Sequence, residues 1–131
     1  MKYDEFLAQV RRRADLDHQE AVYAVQAVLE TLSEHMAGRE PHNLASQLPL
    51  EISQYLHHDP GERAEARGER FSLTEFYGRV RDREQVDLEK AQHHAQIVIE
   101  VLTEAVTEGL MRGVRAQFPA EYEALFKAPV R

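Results

Sequence analysis

The stretch DHQEAVYAVQAVLETLSEHM, residues 17–36, decides the fold. Its apolar residues return at the three- and four-residue spacing of one helix face; they are Ala21, Val25, Val28, Leu29, Leu32 and Met36. Asp17 precedes the stripe as an N-cap, and Glu20 follows three residues later, a close relative of the capping box. We therefore predict a long amphipathic helix that begins after Asp17 and ends near Gly38.

The same pattern returns in the second half of the chain as DLEKAQHHAQIVIEVLTEAV, residues 87–106. When the chain is aligned with itself so that Asp17 falls on Asp87, 15 of the 59 positions 3–61 are identical, and the alignment needs no gap. The first-copy members of the identical pairs are Glu5, Phe6, Val10, Arg11, Arg13, Asp17, Ala21, Gln26, Val28, Glu30, Leu32, Glu34, Gln47, Pro49 and Glu51. The sequence thus predicts a tandem duplication.

Each copy extends outward from its long helix in both directions. An apolar stripe predicts a helix over Tyr3–Ala14, and Ser72 caps its counterpart. After the long helix, a short helical turn leads into Pro49 or Pro119, each placed to open a closing helix. We expect the preceding glutamines, Gln47 and Gln117, to cap carbonyls of their own turns.

The predicted fold class is all-α, a single helical domain of about eight helices over residues 1–131. It comprises repeat 1 (3–56), an exposed linker (57–71) rich in alternating charges, and repeat 2 (72–128). We expect a pseudo-two-fold relation between the repeats, because neither copy buries its apolar stripe well alone. No apolar–polar alternation long enough for a sheet is present in the sequence.

Composition restricts the function classes. The 131 residues carry a net charge of −7 and no cysteine, which excludes disulfides, thiol catalysis and cysteine-bound metals. No apolar run reaches the roughly 20 residues of a membrane helix, and the polar start lacks a signal-peptide profile. We expect a cytoplasmic bacterial protein with no membrane association, and we do not expect general nucleic-acid binding from an acidic chain.

The motif residues resemble a bacterial family, the domain of unknown function 2267 (DUF2267). In the first copy the resemblance rests on Tyr3–Phe6, Ala27–Leu32 and Leu44–Glu51, and in the second on Val98–Leu102 and Arg115–Tyr122. It covers essentially the whole chain as two tandem copies. The resemblance implies an all-helical protein, sometimes joined to regulatory nucleotide-binding modules. It implies no activity, no cofactor and no catalytic residues.

Histidines and carboxylates are the candidate metal ligands, namely His57, His58, Asp59, Glu89 and His93. Imidazole with carboxylate suits zinc, nickel or copper, and the i, i+4 spacing of Glu89 and His93 places both on one helix face. The alternative is that these are surface residues. We expect His94 to pack beside the apolar stripe, and no HExxH motif is present.

Arginines form two clusters at the ends of equivalent helices, Arg11, Arg12 and Arg13 in one and Arg79, Arg81 and Arg83 in the other. Cations at a helix C-terminus complement the macrodipole. They can also pair with nearby aspartates such as Asp15 and Asp82. The sharper alternative is a pair of anion or nucleic-acid sites.

No catalytic constellation stands out, so we predict that the protein is not an enzyme and has no cofactor. Paired glutamates at i, i+4 (Glu30 with Glu34, Glu100 with Glu104) are expected to form a solvated helix face. The leading hypothesis is a helical interaction or regulatory module, stress-related or otherwise, with a protein partner or as a homodimer through Tyr55, Leu56 or Phe126. The alternatives are a metal- or small-ligand-binding protein and a nucleic-acid or phosphate binder.

Overall fold

A computed structural model describes residues 1–56, 66–67 and 69–127. The first half contains helices α1 (Tyr3–Ala14), α2 (His18–His35), α3 (Glu40–Ala45) and α4 (Leu50–Ser53). The second contains α5 (Leu73–Glu84), α6 (Leu88–Ala105), α7 (Glu108–Arg115) and α8 (Glu123–Phe126). Short 3-10 turns cover Gln54–Leu56 and Ala120–Tyr122, and strands β1 (Ala37–Gly38) and β2 (Ala66–Arg67) pair antiparallel. Apart from this short strand pair the regular structure of the described chain is helical, which confirms the all-α prediction.

Side-chain caps start the principal helices where the sequence predicts. Asp17 and Glu20 form a complete capping box, and Ser72 and Asp87 each accept a hydrogen bond from the backbone N–H three residues on. Helices α1 and α5 are each followed by a C-cap residue in the left-handed region, Asp15 at φ 56° and Gln85 at φ 62°. The bounds of α1 and α2 reappear in α5 and α6 at the same offset that relates Asp17 to Asp87.

The long helix α2 ends earlier than predicted, at His35 rather than near Gly38, and α6 ends at Ala105. After α6, the Thr107 side chain accepts from the Leu110 N–H and starts α7, so α6 cannot continue. After α2, residues 37–38 turn into strand β1. The sequence predicts that Pro49 and Pro119 are the first helical residues of the closing turns. The structure places them at the N-cap, so each closing turn begins one residue later.

One hydrophobic core holds the described chain together, and α2 and α6 each supply more of it than any other helix. The first helix of each half packs across the halves as well as within its own: α1 contacts α6, and α5 contacts α2. The buried side chains include those of Phe6, Val28, Leu29, Leu32, Phe76, Val98, Ile99 and Leu102. The core therefore spans both sequence halves.

Each glutamine of the repeated motif reaches across to the other half. Gln117 accepts from the Ala37 N–H at 2.6 Å and donates to the Ala37 carbonyl at 3.2 Å. Gln47 accepts from the Thr107 N–H at 2.9 Å and donates to Thr107 Oγ1 at 3.3 Å. The expectation that they cap their own turns is wrong, because the nearest unpaired backbone groups are those where the opposite long helix has just ended.

Two expectations about exposure need correction. Most of the predicted linker 57–71 lies outside the described residues, but Phe71 is buried and belongs to the core, where its carbonyl accepts from the Tyr122 hydroxyl at 2.6 Å. The Glu69 N–H donates to the Glu34 carbonyl. Leu56, expected in an exposed dimer patch, is also buried, because the 3-10 turn packs on α2 and α3.

Gln117→Ala is expected to lower the free energy of unfolding by about 1–2 kcal/mol, because two half-buried hydrogen bonds to Ala37 are lost. Urea denaturation followed by circular dichroism measures the change. The control is Gln54→Ala, since the exposed Gln54 bonds only within its own turn, and a cost below about 0.5 kcal/mol is expected there. Equal costs for both variants would show that the bridge between halves adds nothing.

Candidate functional site

A groove of about 730 Å³ lies where the C-terminal end of α2 meets the chain just before α5. These two segments form two walls of the groove, and the segment between α7 and the last 3-10 turn forms the third. Its lining side chains are His35, Ala37, Arg70, Phe71, Ser72, Ala116, Gln117, Phe118, Pro119 and Glu121. The volume lies within the range of small-molecule sites, and residues from both sequence halves are needed to form it.

His35, at the C-terminal end of α2, is the most buried polar residue that lines the groove. The residue is only 7% exposed, and its Nδ1 is buried without a hydrogen-bond partner among the described residues. The ring stacks on Phe118 with centroids 4.2 Å apart and meets Phe71 and Tyr122 edge-on at 5.1 Å. Burial, together with the positive charges of Arg70 and Arg79, lowers the pKa of His35. The imidazole is therefore neutral at pH 7.

Most other polar groups of the groove already have partners. Gln117 binds the Ala37 backbone, Ser72 caps α5, and a Glu121 oxygen accepts from the Leu73 N–H. Arg70 is exposed and makes no ion pair with any described residue. The groove thus offers one guanidinium, one neutral imidazole, the second carboxylate oxygen of Glu121 and aromatic walls.

A smaller pocket of about 370 Å³ lies between the α1–α2 and α5–α6 turns. Glu84 and His94 line it as a buried pair in which the carboxylate contacts His94 Nδ1, and their side chains are 3% and 6% exposed. The prediction that His94 packs in the interior is confirmed, but the sequence reasoning missed Glu84 and His35. The available signal was that alanine occupies the position 70 residues away for each of these three residues.

The family comparison agrees with the helical motif. Residues 3–125 match the family described as "Uncharacterized conserved protein (DUF2267)". The chain belongs to the DUF2267 family. No curated protein matches the sequence. In this DUF2267 chain, none of the described helices is both long enough and apolar enough to cross a membrane.

The predicted metal ligands of this DUF2267 chain are not brought together within the part that the structure describes. His57, His58 and Asp59 lie outside the described residues. Glu89 and His93 are exposed on α6. Across residues 1–56, 66–67 and 69–127, no group of three or more potential ligands has the geometry to hold a metal ion.

The arginine clusters are largely engaged by carboxylates. Arg13 contacts Glu100 at 2.6 Å and Glu104 at 2.8 Å, and Arg83 contacts Glu34 at 2.6 Å, so each reaches the long helix of the other half. Arg79 pairs with Glu34, Glu69 and Glu75, and Arg81 with Asp82. Arg11 and Arg12 are exposed, and Arg12 donates to Gln9. Four of the six candidate anion ligands therefore already hold anionic partners.

The expected solvated glutamate face is wrong for Glu34 and Glu100. Their side chains are 20% and 11% exposed because arginines from the opposite half cover them. Burial by itself raises the pKa of Glu34, but the hydrogen bonds and charges of Arg83 and Arg79 outweigh it and the pKa is lowered. Glu34 therefore stabilises the fold when it is ionised.

Glu34→Gln is expected to cost about 1–2 kcal/mol of unfolding free energy at pH 7, because two charge-assisted contacts are weakened. A lowered folded-state pKa means that this stabilisation is complete above the ordinary value of 4.5 and is lost as the pH falls through the folded-state value. The difference between wild type and variant should therefore be smaller at pH 3 than at pH 7. Urea denaturation at both pH values tests this, with the exposed Glu51→Gln as control. A difference that does not change with pH contradicts the ionic explanation.

His35→Phe is expected to flatten the dependence of stability on pH. The unfolded chain takes up a proton on His35 below its ordinary pKa of 6.5, whereas the folded chain resists it. Wild type should then lose up to about 1.4 kcal/mol per pH unit from this residue as pH falls from 6.5 to 5.5. Denaturation at pH 7.5, 6.5 and 5.5 measures it. If the exposed-residue control His42→Gln flattens the curve as much, His35 is not the source.

Proposed function

We propose that this protein is a non-enzymatic helical interaction module that acts in regulation, and that it responds to a small organic anion bound in the groove beside His35. The observation that carries the proposal is the nearly buried imidazole with an unpaired Nδ1 at the wall of a 730 Å³ groove. A buried polar group without a partner is costly, so native proteins retain few of them without a reason.

The groove chemistry supports a flat ligand with a negative charge. Phe71 and Phe118 provide apolar walls, and aromatic rings pack against such walls by stacking or edge contacts. Arg70 is the cation of the groove without an ion pair to a described residue, and a guanidinium binds carboxylates in bidentate geometry. A neutral His35 can donate or accept one hydrogen bond. An aromatic carboxylate satisfies all three features.

Regulation is supported by where the groove lies. Its walls come from the end of α2, from residues 70–72 and from residues 116–119, so a ligand there contacts both sequence halves. We further propose that these halves are two tandem copies of one unit with a pseudo-two-fold relation, in a cytoplasmic bacterial protein. A ligand that favours one arrangement of the copies would change the surface offered to a protein partner or to a second copy of the chain.

The test begins with native mass spectrometry of protein purified without chelators, followed by calorimetric titration with 2-naphthoate. Binding at one site is expected, with affinity reduced about tenfold or more by Arg70→Ala or His35→Phe. The matched control is Arg39→Ala, which removes an exposed arginine that does not line the groove. Neutral 2-naphthamide should bind more weakly than the anion.

Two results would overturn the proposal. Equal binding of 2-naphthoate by wild type and by both groove variants would place the site elsewhere. Extra mass matching a metal ion in the native spectrum would favour the alternative of a metal-binding protein. The nucleic-acid alternative receives little support from the ion-paired arginines, and unchanged DNA retention after changing Arg11, Arg12 and Arg13 to alanine would dispose of it.

A further inference from the structure

The pocket between the α1–α2 and α5–α6 turns is separate from the His35 groove and shares no lining residue with it. Its walls are Ala14, Asp15, Leu16, Glu20, Tyr23, Glu84, Val86, Lys90, His93 and His94. The pocket lies between equivalent turns of the two sequence halves. Its most buried polar residues are Glu84 and His94, whose exposed fractions over the whole residue are 7% and 5%.

One carboxylate oxygen of Glu84 has a hydrogen-bond partner, and the other has none among the described residues. Its Oε2 contacts His94 Nδ1, while Oε1 is buried with no hydrogen-bond partner among the described residues. A carboxylate that accepts at Nδ1 fixes the proton of a neutral imidazole there and leaves Nε2 as an acceptor. The pair therefore presents unused acceptor capacity, and a buried carboxylate oxygen without a donor is unfavourable.

The first half forms the corresponding helix junction without such a polar pair. In the first half, where α1 and α2 have the same lengths as α5 and α6, the corresponding residues are Ala14 and Ala24, and both are buried. The same helix junction is thus packed with two methyl groups in one half and with two ionisable groups in the other. Packing alone does not explain the more costly choice.

We propose that this pocket is a binding site for a small organic cation with a primary ammonium group. The ammonium donates to the unused Glu84 Oε1, which requires a donor rather than an acceptor. Asp15 and Glu20 add two carboxylates to the walls, against one lysine, Lys90. Tyr23 provides an aromatic ring face that attracts cations. A volume of about 370 Å³ accommodates a short aliphatic chain.

The test is calorimetric titration of the full chain with 1,4-diaminobutane, with neutral 1,4-butanediol as the matched probe. The diamine is expected to bind at one site and the diol not at all. Glu84→Gln should weaken diamine binding at least about tenfold. The control is Glu89→Gln, which removes an exposed carboxylate of α6 outside the pocket and should change affinity less than about twofold.

A second variant and a second measurement distinguish loss of the binding site from misfolding. Glu84→Ala combined with His94→Ala reproduces the buried alanine pair of the first half, so it should fold and fail to bind the diamine. In wild type, the ring nitrogen resonances of His94 should shift during the titration, as seen by ¹⁵N NMR. Unchanged His94 resonances at about 10 mM diamine, or undiminished binding by the double variant, would overturn the proposal. So would equal weakening by Glu84→Gln and Glu89→Gln, because it would indicate diffuse attraction to an acidic chain.

Discussion

Burial of the apolar stripes on α2 and α6 is the constraint that organises this domain. Each of these long helices contributes fully buried side chains along most of its length, and no single flanking helix covers such a stripe. The first helix of each half therefore packs on both long helices. This shared core explains why Gln47 and Gln117 find their backbone partners in the opposite half. It also brings the ends of the two halves close enough to form grooves between them.

The polar chemistry of the interior is concentrated where the two halves differ. His35, Glu84 and His94 are buried, while the equivalent positions of the other half hold Ala105, Ala14 and Ala24. Residues common to both halves, such as Phe6 and Phe76 or Val28 and Val98, lie in the core and maintain the packing. In the proposed duplication the scaffold is present twice, so one copy of each position can keep the packing while the other acquires a polar group. Both proposed sites rest on this asymmetry.

The arginine–glutamate pairs of this protein connect its two halves rather than form a cationic surface. Arg13 and Arg83 each reach glutamates of the opposite long helix, so an acidic net charge of −7 coexists with well-compensated arginines. Partly buried pairs of this kind are screened by salt less than exposed ones. The groove cation Arg70 differs, because it makes no ion pair with a described residue and lies beside an imidazole whose pKa burial keeps low.

The sequence by itself determined the all-α class, the helix starts at Asp17, Ser72 and Asp87, and the DUF2267 family, because periodicity and capping are local properties of the chain. Only the tertiary structure decided that Glu34 pairs with Arg83, that Phe71 is buried and that the long helices stop at His35 and Ala105. It also decided that His35 faces an aromatic groove and that Glu84 meets His94. These facts depend on which surfaces the shared core brings together. A single sequence does not specify that, because residues far apart along the chain become neighbours only when the helices pack.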